Sequence, residues 1–147
     1  MPQHQQTKIL PYTLTQIYQL IIDVDNYSKF LPWCSASKIT EQHDDYFLAE
    51  LVIKFKVLNE KYVSHITPNP PAANNAKIIV RQHQGPFAYL SHNWHLTAIS
   101  DEKCKVNIDI EFSFKSVILN KIAGALFGKT LSKMINAFED RARELYG

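Results

Sequence analysis

Hydrophobic residues along the chain follow two different periods, and the switches between them set the expected architecture. Thr7 to Tyr12 reads as a first strand, after which Ile17, Leu20, Ile21 and Val24 recur at helical spacing. Thr13 stands where an N-cap belongs, and Gln16 three positions on completes a capping-box pattern. Asp25-Asn26 ends that helix. A second short helix is expected from Tyr27 to Leu31, stopped by Pro32.

After Trp33 the period changes to two. Phe47, Ala49, Leu51, Ile53, Phe55 and Val57 alternate with neighbours that include Glu50, Lys54 and Lys56. Val106, Ile108, Ile110, Phe112 and Phe114 alternate with Asn107, Asp109, Glu111 and Ser113. Such strands have one buried and one wet face, as in an antiparallel sheet. Segments around Ser37–Thr40, Tyr62–Thr67, Ile78–His83 and Leu90–Ile99 read as further strands, about seven in all. Gly85-Pro86 marks a turn between two of them, and Pro68-Asn69-Pro70-Pro71 with the residues after it reads as a loop.

From Val117 to Tyr146 the helical period returns. At about 100° per residue, Ile118, Leu119, Ile122 and Leu126 gather on one face. Phe127, Leu131, Met134, Phe138 and Leu145 gather on another, roughly a quarter turn away, and a bend is expected where the faces meet at Gly124 and Gly128. A long helix laid on a one-sided sheet makes an α+β domain, here expected to span residues 1–147.

Composition changes this picture little. The 147 residues, 46% of them hydrophobic and 20% charged, suit an ordinary globule. A net charge of +2 is too small to argue for DNA as a partner. Cys34 and Cys104 lie in unrelated segments and read as reduced thiols. The N-terminal residues carry no apolar signal segment, and the stretch from Ser116 to Phe127 is too short for a membrane span. The expected location is cytoplasmic, with a peripheral contact at the inner membrane.

Three segments then point to a family. Tyr27-Ser28-Lys29-Phe30-Leu31-Pro32-Trp33-Cys34 is followed by Gly85-Pro86-Phe87 with Trp94 downstream, and by Asp109-Ile110-Glu111-Phe112-Ser113-Phe114-Lys115-Ser116. Together they resemble the coenzyme Q-binding START-like family of the polyketide cyclase superfamily, from about Lys8 to Tyr146. That family includes bacterial members named as ribosome-association toxins. Val57 and Asn93 depart from it, since relatives often carry glycine at both places. The resemblance implies a helix-grip fold, with a seven-stranded curved sheet wrapped around the C-terminal helix and an elongated cavity between them. It also implies ubiquinone or another lipid as bound ligand, with no separate cofactor, in respiratory electron transfer. The toxin name implies the large ribosomal subunit as a second partner. A polyketide cyclase or aromatase enzyme is the third reading.

The residues themselves favour binding over catalysis. Acid–base chemistry in a dry cavity needs an inward carboxylate, histidine or tyrosine, yet Glu50, Asp109 and Glu111 all have outward parity. The expected wall is apolar: Phe55, Ile110 and Phe112 from strands, and Ile122, Leu126, Leu131 and Met134 from the helix. His92 shares a face with Trp94 and would bond a quinone carbonyl, act as an acid, or sit at a strand end satisfied by backbone or water. Tyr62 would offer a hydroxyl to a ligand oxygen or satisfy itself at the cavity mouth. Leu31 and Trp33, at a helix-to-strand corner, form either the lip of the cavity or a plain plug with the indole N–H bonded to backbone. A zinc site among His83, His92 and His95 is disfavoured, because His92 and His95 have opposite strand parity. Lys115, Lys121, Lys129 and Lys133 surround an apolar face, so residues 117–129 are a candidate for transient contact with an anionic membrane surface.

Overall fold

The alternation read from the sequence builds a seven-stranded antiparallel sheet, and its polarity decides where everything else packs. The computed structural model describes the backbone of residues 3–55 and 58–147, and the side chains of that range except 55, 58 and 123–130. The strands are β1 (Gln3–Leu10), β2 (Cys34–Gln42), β3 (Phe47–Phe55), β4 (Leu58–Ala72), β5 (Asn75–Gln84), β6 (Phe87–Ala98) and β7 (Cys104–Phe114). Their order is β1-β7-β6-β5-β4-β3-β2, a meander closed at one edge by the first strand. Register puts Val80, His92 and Ile110 side by side, and likewise Ile78, Trp94 and Ile108, so these rows face the same way.

Helix α1 (Leu14–Ile22) begins as expected. The Thr13 hydroxyl accepts from Gln16 N at 3.0 Å, and the Gln16 side chain accepts from Thr13 N at 3.0 Å. The second short helix differs from the expectation. It is a 3₁₀ segment at Val24–Lys29, beginning three residues earlier, and Leu31 N folds back onto Tyr27 O at 2.9 Å. Helix α2 (Val117–Tyr146) runs across the inner face of the sheet, where Leu131, Ile135, Phe138 and Ala142 join Leu96, Val106 and Ile108 in the main core.

Two further expectations are corrected. The proline segment Pro68–Pro71 is not a loop but the end of β4, pairing Pro68 with Ile78 and Asn69 with Lys77. β3 stops pairing with β4 at Ile66, so the prolines lie beyond it, on an edge where proline is tolerated. The turn itself is at Ala73 and Asn74, both at positive φ, as a tight hairpin requires. Second, Ile118 and Leu145 do not join the buried helix faces; they are 71% and 48% exposed. The family departure at Val57 falls outside the described residues, and the bend expected at Gly124 and Gly128 falls where no side chain is described. Asn93 sits in regular strand, its amide donating to Asp109 Oδ1 at 2.9 Å and its oxygen accepting from Arg81.

Five register shifts interrupt the ladders of the described residues, two between β2 and β3, two between β4 and β5, and one between β6 and β7. Bulges of this kind increase local twist and bend. The tightest close approach is at Gly85, φ +156°, in the turn between β5 and β6. A Cβ there would lie 2.5 Å from Tyr62 Cβ and 3.2 Å from Tyr62 Cα. Gly85→Ala is therefore expected to cost about 1–3 kcal/mol by overpacking against backbone, read as a lower urea midpoint at unchanged slope.

Candidate functional site

Between sheet and α2 the packing does not close. Side chains of β3 to β7, the 3₁₀ segment and α2 line a partly open cavity of about 180 Å³. It separates the main core from a small aromatic cluster of Phe87, Leu90, Phe112 and Phe114 at one end of the sheet. Phe87 organises that end, stacking on Phe114 at 4.7 Å and meeting Tyr62 edge-on at 5.5 Å.

Ten of the twelve residues singled out from the sequence line this space. Leu31 and Trp33 come from the corner before β2, and Tyr62 from β4. His92 and Trp94 come from β6, and Ile110 and Phe112 from β7. Ile122, Leu131 and Met134 come from α2. The side chains of the other two, Phe55 and Leu126, fall outside the described residues. The residues singled out from the sequence leave out others that line the space, among them Tyr27, Ser64 and Val80. Val80 and Ser64 carry the inward parity of β5 and β4, which was available in principle. Tyr27 was legible only as part of a motif; the 3₁₀ turn brings its ring against Phe138 at 5.4 Å, and its hydroxyl donates to Ile21 O.

The electrostatics are those of an oily enclosure. Among the described residues, no carboxylate, lysine or arginine lines it. Asp109 is bonded to Asn93 on the opposite face of the sheet, and Glu50 pairs there with Lys61 at 3.3 Å. Burial raises the hydroxyl pKa values of Tyr27 and Tyr62 well above the ordinary tyrosine range, with the Ser64 hydroxyl acting the other way on Tyr62. Burial also lowers His92 from 6.5 to about 4, with the Arg81 charge adding to the effect, so its imidazole is neutral near pH 7.

Two polar atoms in this wall have no partner among the described residues. They are the indole Nε1 of Trp33 and the imidazole Nε2 of His92, both shielded from solvent. A plug with its indole bonded to backbone is thus not what the structure contains at Trp33. Nor is His92 a satisfied strand-end residue, since it lies mid-strand between Val80 and Ile110. Burying such groups unpaired costs about 1–3 kcal/mol each, a cost a ligand oxygen would remove. His95 points to the other face and bonds Asn75 Oδ1 at 3.1 Å, so it shares no site with His92. Cys34 and Cys104 are both free and buried, and burial raises both thiol pKa values, that of Cys104 to about 11.

Residues 10–139 match the family model described as polyketide cyclase / dehydrase and lipid transport. The chain belongs to that family. Curated relatives include toxins and a coenzyme Q-binding protein. A ribosome association toxin RatA of Rickettsia prowazekii is 39% identical over 142 residues, covering 96% of each chain. A mitochondrial coenzyme Q-binding protein COQ10 homolog B of Xenopus laevis is 28% identical, covering 99% of this chain and 59% of its own. Among solved structures, the Zhui aromatase/cyclase from a Streptomyces species superposes with a TM-score of 0.84 at 15% identity, over 97% of this chain and 93% of that one. The likeness establishes the helix-grip START-like fold expected from the sequence.

The His92 shift gives this family member a pH signature. In the unfolded chain His92 titrates near 6.5 and in the folded chain near 4, so between those values the unfolded state binds more protons. Stability is thus full above about pH 6.5 and falls as pH drops toward 4, by about 2–3 kcal/mol. His92→Gln should flatten that loss in urea titrations at successive pH values. An unchanged slope would mean the imidazole is hydrated.

Proposed function

We propose that this chain binds a hydrophobic small molecule, ubiquinone or a related isoprenoid lipid, inside the cavity. It then acts as a carrier or chaperone in support of respiratory electron transport. The observation that carries the reading is an apolar enclosure whose unpartnered polar atoms are Trp33 Nε1 and His92 Nε2. An indole N–H donates only, and a neutral imidazole donates from Nε2 in one tautomer. Both therefore suit a carbonyl oxygen on a ring. A few fixed polar groups in an apolar wall orient a ligand, while buried area supplies most of the affinity, at roughly 25 cal/mol per Å².

The volume limits how the ligand sits. About 180 Å³ is close to the roughly 150 Å³ of an engineered cavity that admits benzene. One substituted ring fills it. An isoprenoid tail then has to leave through the wall, along the apolar side chains of α2.

We read the chain as a binder rather than an enzyme. A histidine at pKa about 4 is a weak base near neutral pH, and no carboxylate stands beside it among the described residues. Similarity to an aromatase/cyclase at 15% identity concerns the fold alone. A second reading, association with the large ribosomal subunit as a translation inhibitor, is supported by the name of the relative at 39% identity. Sedimentation with ribosomes at varied salt tests it, and a chain that never enters the ribosomal pellet would eliminate it.

Organic extraction of the purified protein followed by mass spectrometry is expected to release a prenylated quinone or a lipid. Val80→Phe grows a ring into the cavity and should remove that species while the fold survives. His92→Leu stays close in volume but deletes the donor, and should weaken quinone binding by about tenfold. Equal recovery from wild type and Val80→Phe would place the ligand elsewhere.

A further inference from the structure

The first turn of α2 presents an arrangement that neither core packing nor the cavity uses. Val117 and Ile118 are 70% and 71% exposed, more than any other large hydrophobic residue described. Their direction is fixed rather than frayed. Ser116 Oγ accepts from Leu119 N at 3.3 Å as the N-cap. The Asn120 amide clamps the end of β7, its oxygen accepting from Phe114 N at 2.6 Å and its nitrogen donating to Phe114 O at 3.0 Å. Lys115 N adds a bond to Pro86 O at 2.9 Å. With the turn held this way, Val117, Lys121 and Ile118 span a wedge of about 100° facing solvent. Leu119 faces the cavity, and so does Ile122, one turn on from Ile118.

Charge says what this wedge fits. Lys115 precedes the apolar pair and Lys121 lies between its two members one turn on, both exposed, and Lys133 is exposed further along the same helix. From Lys115 to Phe138 the sequence has four lysines and no aspartate or glutamate; the first acid is Glu139. No helix among the described residues is long and apolar enough to cross a membrane. Apolar side chains flanked by cations, on a helix too polar to insert, suit the interface of an anionic bilayer.

We propose that the first turn of α2 docks on an anionic lipid surface, with Val117 and Ile118 entering the interface and Lys115 and Lys121 meeting headgroup phosphates. The proposal rests on the cavity reading for its purpose. The exposed pair continues into Leu119 and Ile122 of the cavity wall, so docking would hold that wall against the acyl layer, where a tail too long for the cavity can remain.

The test is partition of the full chain onto phosphatidylcholine vesicles with and without phosphatidylglycerol. Wild type should bind the anionic vesicles, release with salt, and bind the neutral ones weakly. Val117→Ser with Ile118→Ser, both exposed and outside the core, should weaken binding by about tenfold or more without changing Tm. Lys115→Gln with Lys121→Gln should erase the preference for anionic lipid. Wild type that ignores anionic lipid, or a serine variant that binds as tightly, overturns the proposal. So does a serine variant that instead dissociates a dimer or loses ribosome sedimentation while its vesicle binding is intact. Extraction from the same serine variant separates the two ideas. Bound ligand without vesicle binding leaves the cavity reading standing alone, whereas vesicle binding with no ligand in any preparation leaves only the docking surface.

Discussion

One helix cannot cover a seven-stranded sheet. Six strand spacings make a flat width of about 29 Å, and a helix with its side chains is about 10 Å across. The apolar face therefore has to be closed by other means. The sheet bends at its register shifts, the 3₁₀ segment packs on β2, α1 packs on β4 to β6, and α2 packs on β7 and α1. A small aromatic cluster around Phe87 closes the far end. What is left over, between that cluster and the main core, is the cavity.

This geometric shortfall explains the chemistry of the wall. Strand alternation sends every clear acid of β3 and β7 to the outer face, so the residual space inherits apolar side chains by default. Polar atoms enter it only where a residue is there for another reason. Trp33 arrives because the chain turns a corner at Pro32, and His92 because it stands in the inward row of β6. Both bring nitrogen atoms the protein leaves unpartnered among its described residues. An oily ring with an oxygen on its edge is the ligand we propose for such a space.

Much of this was legible in the sequence, since a period of two with one wet face leaves a single choice of buried side. Ten of the twelve candidate wall residues were reachable because parity along β4, β6 and β7 and the helical period of α2 are strict. The failures have definite causes. The prolines at 68–71 looked like a loop, because the sequence does not reveal that β4 outruns β3 and loses its partner there. Ile118 looked buried because an average helical face ignores the Ser116 cap and the Asn120 clamp, which set the rotation of the first turn. Tyr27 was missed as a wall residue because a 3₁₀ segment has no long period to read. The unpartnered state of Trp33 and His92 is a tertiary property, invisible until strands and corner are placed together.

The most direct test of the hollow uses the protein's own chromophores. The chain has two tryptophans, Trp33 and Trp94, and both line the cavity. Titration with a short-tailed ubiquinone should quench their fluorescence along a saturable curve that ends near one quinone per chain. Quenching that rises linearly without saturation, as for tryptophan free in buffer, would contradict the account.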